Sequence, residues 1–197
     1  MHLIRAVLLI FLVALPAALH AQALPTAGSG DFGLEPGDIP RREIGLNYNY
    51  IHANAPPGQC GCFSLNGGSA AIVYNIRPNW SAVADVSVAH ANNVDGTLQN
   101  ITIINYLFGP RRSWRNHTRY IPYAQVLLGG AKEDVNFEFV INRNSFGLSA
   151  GGGVTTRLSR RVGFNIAQFD YVYTQIPNAK SNRQNNIRIA TGFIFRF

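Results

Sequence analysis

The sequence predicts an all-β chain: an eight-stranded antiparallel up-and-down β-barrel that crosses a membrane, preceded by a cleaved signal peptide. Three observations carry the prediction. From Arg42 onward, apolar and polar side chains alternate with a period of two, and no later stretch approaches the roughly 18 consecutive apolar residues of a membrane helix. Only 14% of the 197 residues are charged, against about 25% in soluble domains. The chain opens on an export signal. Its mean hydropathy is nonetheless close to zero, as it must be when lipid-facing and lumen-facing residues cancel along every strand. A secreted soluble sandwich shares this composition, so the order of elements has to separate the two.

The opening "MHLIRAVLLIFLVALPAALHAQA" has one basic residue (Arg5), an apolar run from Ala6 to Leu15, Pro16 and small residues near a cut site. That is the secretory pattern, with cleavage expected after Ala21 or after Ala23. Residues 1–21 are therefore signal peptide. Residues 22–41, rich in Pro and Gly and without periodicity, read as a periplasmic linker. The barrel is expected to occupy 42–197.

The first strand, "REIGLNYNYIHAN", puts Ile44, Leu46, Tyr48 and Tyr50 on one face and Glu43, Gly45, Asn47 and Asn49 on the other. "SAAIVYNI" and, after the turn "RPN", "WSAVADVSVAH" repeat the pattern, with Ile72, Tyr74, Ile76, Trp80, Val86 and Val88 outside and Val73, Asn75, Ser81 and Asp85 inside. The fourth segment, "LQNITIINYLFG", is apolar on both faces and leaves its inward side open. An Arg-rich connection, "PRRSWRNHTRY", leads to a fifth strand, "PYAQVLLGG". "KEDVNFEFVINRN" reads as a longer loop that extends the hairpin. "SFGLSAGGGVTTR" is the sixth strand and "VGFNIAQFDYVYT" the seventh. Asn165 and Asp170 have opposite parity in that seventh strand, which predicts a bulge or a change of facing between them. The eighth strand ends the chain as "NIRIATGFIFRF", with Phe193, Phe195 and Phe197 on one face.

An even number of strands closing last on first leaves no free edge, and lipid demands that closure because backbone groups find no water there. Connections after strands 1, 3, 5 and 7 are long and those after strands 2 and 6 short, the loop asymmetry of outer-membrane barrels, though the connection after strand 4 breaks the rule. Aromatic residues at strand ends, Trp80 among them, suit the headgroup depth.

On these residues the chain resembles the small eight-stranded outer-membrane barrels of the OmpA/OmpX type. The alternating C-terminal strand ending on Phe197, the Gly run in "LSAGGGVTTRLSRRVGF" and the "NYLFGPR" segment carry the resemblance, which spans 42–197. It implies residence in the outer membrane of a Gram-negative bacterium, among lipid and lipopolysaccharide. It also implies that Phe193, Phe195 and Phe197 form the signal read by the barrel assembly machinery. Larger members append a peptidoglycan-binding domain after the barrel, and cell-wall anchoring of that kind is not expected here. A monomer is favoured.

Eight strands enclose an interior that side chains can fill. The expected inward charges are Glu43, Asp85, Arg157, Arg188 and Arg196, with Asp170, and buried charges need partners, so acid–Arg pairs should bridge the lumen. This favours a polar plug with a structural or surface-interaction role. A narrow channel for ions or small solutes is the alternative, kept open by the many small inward residues. A second set of basic residues, Arg77, Arg111, Arg112, Arg115, Arg119, Arg160 and Arg161, falls at the short-turn side and reads as a periplasmic basic rim suited to anionic lipid. Nucleic acid is not an expected partner despite a pI near 9.8.

A lipid-modifying enzyme would need a nucleophile beside a base. His52 and His90 fall near the outer rim with Ser64, Ser87 and Asp95, but no spacing links them, so no catalytic residue, metal or cofactor is expected. Cys60 and Cys62 in "PGQCGCFS" are separated by one residue. Only a tight local disulfide across the loop tip could join them.

Overall fold

A computed structural model describes residues 39–54, 62–94, 99–115, 118–136, 140–176 and 183–197. The expected signal peptide and most of the linker lie outside these residues. Eight strands follow in order: β1 (Arg42–Asn54), β2 (Cys62–Arg77), β3 (Trp80–Val94), β4 (Gln99–Ser113), β5 (Tyr120–Asn136), β6 (Val140–Arg157), β7 (Val162–Thr174) and β8 (Gln184–Arg196). Each pairs antiparallel with the next, and β8 returns to β1 through a register running from Glu43↔Arg196 to Ala53↔Asn186. The barrel is closed.

The alternation in sequence becomes inside and outside. Along β1, Glu43, Gly45, Asn49, Ile51 and Ala53 are buried in the lumen while Leu46, Tyr48 and Tyr50 are exposed. The outer wall carries Ile72, Tyr74, Phe108, Val126, Phe169 and Phe193, each between 41% and 68% exposed. A continuous belt of that kind is stable where the surrounding solvent is itself apolar. Water would not provide that.

Five strands, β2 to β6, are longer than the sequence predicts. β2 starts at Cys62, and β4 continues through the Arg-rich connection to Ser113. Of the expected loop "KEDVNFEFVINRN", residues 132–136 belong to β5 and 140–144 to β6, and the two strands pair from Tyr120↔Thr156 to Asn136↔Val140. The reason is ladder pairing: residues without strand propensity of their own are held by hydrogen bonds to a neighbour that has it. β6 has 18 residues. At about 3.3 Å per residue and a tilt near 40° it rises roughly 45 Å, well beyond an apolar band of about 25 Å. The hairpin therefore projects from the loop end. Outward residues there turn polar, and Lys132 pairs with Asp134 at 3.5 Å. At the head of β2, Cys62 is an exposed free cysteine, whereas Cys60 lies outside the described residues.

The bulge expected in β7 is present. Asn165 and Gln168 both face inward, and the register slips between them against β8, and opposite Val154 and Thr155 of β6. One extra residue resets the parity, so that Asn165 and Asp170 share the lumen. Deleting Ala167 would remove the extra residue and leave Asn165, Gln168 and Asp170 on one parity, still facing the lumen. The expected result is a folded, heat-shiftable band on gels as strong as the parent's. A sharp loss of that band would show that the bulge itself is required.

Candidate functional site in the barrel lumen

At mid-height the lumen is crossed by one arginine. Arg188, on β8, is 1% exposed. Its Nη1 donates to Asp85 Oδ1 on β3 at 2.7 Å, while its Nε and Nη2 donate to Asp170 Oδ2 on β7 at 2.9 and 2.7 Å. Strands β3 and β8 are not neighbours in the barrel, so this side chain ties opposite walls together. Asp170 also accepts from Gln168 Nε2 at 2.6 Å and from Gln125 Nε2 at 3.3 Å. Charge-assisted bonds of this kind are about twice as strong as neutral ones.

The network continues toward the turn end. Gln125 Oε1 accepts from Arg111 Nε and Nη2 at 3.0 and 2.7 Å, and the Arg111 guanidinium lies 4.3 Å from the centre of the Tyr123 ring. Tyr123 donates to Gln168 at 2.8 Å, and Asn165 donates to Asn47 at 3.1 Å. At the mouth, Arg196 approaches Glu43 at 3.6 Å. Asn75 accepts from Ser81 at 2.6 Å and from Arg115 at 3.1 Å. Burial lowers the pKa of the Arg115 guanidinium from its ordinary value, with Glu43 opposing that shift. Two small cavities of about 20 Å³ each remain in this lower half, bordered by Glu43, Arg111, Tyr123 and Thr155. Each has room for about one water molecule.

Above the arginine the filling changes character. Ile51, Ala53, Phe63, Leu65, Ala89, Ala91, Ile101 and Ile103 form a buried apolar cluster on the β1–β4 side. Ser149, Thr174, Gln184 and Asn186 are buried across from it on β6, β7 and β8. The lumen is thus greasy on one side of its loop end and charged below.

Four of the expected lumen charges besides Arg188 (Glu43, Asp85, Asp170 and Arg196) are buried inside the barrel. Arg157 ends β6 opposite Gly163 and is half-buried at the mouth. Arg111 is the reverse case. Expected on the rim, it is 8% exposed and points into the lumen, because β4 continues past Pro110 and keeps odd-numbered residues inward. Arg115 is likewise drawn under the mouth, half-buried beside Asn75. Arg77, Arg112, Arg119, Arg160 and Arg161 are exposed at the turn end. Tyr123 and Gln168 were not anticipated. The parity Tyr123 shares with Gln125 was the available signal, whereas Gln168 depends on the bulge.

Phe193, Phe195 and Phe197 project outward at the end of β8, and Phe193 meets Phe164 edge-on at 5.2 Å. Phe197 exchanges backbone hydrogen bonds with Arg42, so the chain terminus closes the seam with β1.

No protein-family model matches the chain, and no curated protein matches it in sequence. Solved structures do. Neisserial surface protein A superposes with a TM-score of 0.63 at 15% identity, covering 79% of this chain and 97% of that one. The fold is that of the small outer-membrane barrels. Ail, the attachment invasion locus protein of Yersinia pestis, matches with a TM-score of 0.54 at 14% identity over 79% of this chain and 98% of its own. The outer membrane protein OprG from Pseudomonas aeruginosa matches with a TM-score of 0.53 at 12% identity over 85% and 99%. At such identities the likeness is one of architecture. Within a small outer-membrane barrel, the lumen, the apolar outer wall and the loop tips are the surfaces that can carry function.

Proposed function

We propose that this chain is an integral outer-membrane protein of a Gram-negative bacterium, with a lumen closed by its own side chains and a structural or surface-interaction role. The bridge from Asp85 through Arg188 to Asp170 is the observation that carries this reading. It spans the lumen at mid-height with the charges paired, and the apolar cluster around Ile51, Leu65 and Ile103 stands directly on its loop-end side. A hydrated ion meeting that sequence would have to displace a buried ion pair and then pass a level that is apolar along its β1–β4 side.

A surface role is in keeping with Ail, an attachment invasion locus protein also solved with the heparin analogue sucrose octasulfate. Here the tips that would carry such a role fall outside the described residues. Lipid-directed catalysis has less support. Ser87 faces the lumen while His90 faces outward and is bonded to Thr102 at 2.8 Å and Asn92 at 2.7 Å, so the two cannot meet. Ser64 is engaged by the Tyr50 hydroxyl at 2.7 Å. Asp95 and His117 lie outside the described residues.

Conductance tests the reading. Folded mature protein in a planar bilayer should give no discrete steps at moderate voltage. Reproducible steps whose size changes in Arg188→Gln would overturn the plug and make the protein a channel.

A further inference from the structure

The barrel has a second arginine with unusual company, on its outer wall. Arg112, near the end of β4, is exposed and lies near two indole rings, 5.7 Å from the centre of Trp80 and 5.6 Å from that of Trp114. Both distances are within cation–π range. Trp80 is its cross-strand partner on β3, and Arg77 is paired with Trp80 across the β2–β3 turn. Trp114 is fixed by its backbone N–H, which donates to Pro122 O at 2.9 Å.

The rings approach from two directions, Trp80 across the ladder and Trp114 two residues along the chain, and the exposed guanidinium keeps N–H groups free of them. Among the described residues no side-chain acceptor engages Arg112. The five described Asp and Glu side chains are all elsewhere: Glu43, Asp85 and Asp170 in the lumen, Glu133 and Asp134 toward the loop end of β5. Arg112 is thus exposed with no described carboxylate beside it, where the apolar wall of Ile76 and Phe108 gives way to the basic turn end. That is the depth of lipid headgroups.

We propose that Trp80, Arg112 and Trp114 form a binding site for the phosphodiester of an anionic phospholipid in the leaflet on the turn side. The indoles flank the guanidinium, whose free N–H groups meet the phosphate oxygens, with Arg77 adding charge and the rings covering the upper acyl chains. Arg119, Arg160 and Arg161 raise the local lipid concentration without shaping the site.

This inference rests on the membrane-spanning reading above, and one experiment separates the two. Trp80 and Trp114 are the only two tryptophans in the chain, so its intrinsic tryptophan fluorescence reports this site alone. The folded protein is reconstituted into bilayers in which either phosphatidylglycerol or phosphatidylcholine carries brominated acyl chains, and quenching gives their relative binding constants. Phosphatidylglycerol should be preferred by about fivefold, the effect of roughly one arginine at a lipid surface. The preference should vanish in Arg112→Gln, fall partway in Arg112→Lys, which keeps charge but loses the guanidinium, and persist in Arg160→Gln. Equal constants for the two lipids, or equal losses in Arg112→Gln and Arg160→Gln, would reduce the site to general surface potential and overturn it. Absence of quenching by either lipid would instead overturn the membrane reading itself.

Discussion

Arg188→Leu is expected to destabilise the folded barrel by about 3–5 kcal/mol, because it leaves two buried carboxylates without their cation. Asp85 and Asp170 are 3% and 2% exposed, so water cannot take over the lost bonds. The fall should appear as a lower urea midpoint in detergent or lipid, followed through the heat-dependent gel shift of the folded form. Removing the charges together should be far milder. The triple variant Arg188→Leu, Asp85→Asn, Asp170→Asn keeps the volume and hydrogen-bonding capacity near each wall, and it should regain more than half of the lost stability. Of the two carboxylates, Asp170 should cost more to neutralise alone. It accepts four hydrogen bonds, two from Arg188 and one each from Gln168 and Gln125, whereas Asp85 accepts one. A single Arg188→Leu variant as stable as the parent would mean that the bridge contributes nothing, and the argument for a sealed lumen would lose its physical basis.

The second large effect is expected at a glycine. Gly151, on β6, stands opposite Gln125 on one side and Asp170 on the other. A Cβ there would lie 2.6 Å from the Asp170 Cα and would also press on the Phe169 carbonyl and the Asp170 carboxylate. Backbone atoms cannot yield without breaking the β6–β7 ladder, so Gly151→Ala should cost about 1–3 kcal/mol and Gly151→Val more. Gly45 is the control. A Cβ at that position would meet nothing nearer than 3.7 Å, and Gly45→Ala should leave the urea midpoint almost unchanged. Equal tolerance at both sites would show that the Gly run of β6 is not a close-packing device. If Gly151 behaves as expected, then the small side chains on β6 exist so that the polar residues of β5 and β7 can meet in front of them.

That division of space explains what could be read without a structure. Strand existence and facing were legible in β1, β2, β3 and β8, because a wall with lipid on one side and a polar lumen on the other imposes alternation residue by residue. The β7 bulge was legible for the same reason: Asn165 and Asp170 could both face inward only if the parity changed between them. β4 was not legible. Its inward face carries Ile101, Ile103 and Leu107, and a strand whose lumen side is as apolar as its lipid side shows no alternation. The apolar cluster at the loop end is thus the physical cause of that ambiguity, since it removes the contrast on which periodicity depends.

Strand ends were equally hidden. Pro110, Arg111, Arg112 and Ser113 look like a connection, and the ladder of β3 holds them as strand. That extension moves Arg111 from the rim into the lumen and sets Arg112 near Trp80 and Trp114. The side chains themselves offer no hint of it.

By itself, the sequence determined the barrel, its strand count and the sign of each surface, because a two-residue period is a local property and each strand records its own environment. Pairing was decided only in the closed structure. Arg188 and Asp85 are separated by 103 positions, and whether they meet depends on the stagger accumulated over the intervening strands. No local pattern encodes that stagger. It is fixed when the last strand closes on the first, and the choice of which arginine spans the lumen and which faces outward follows from it.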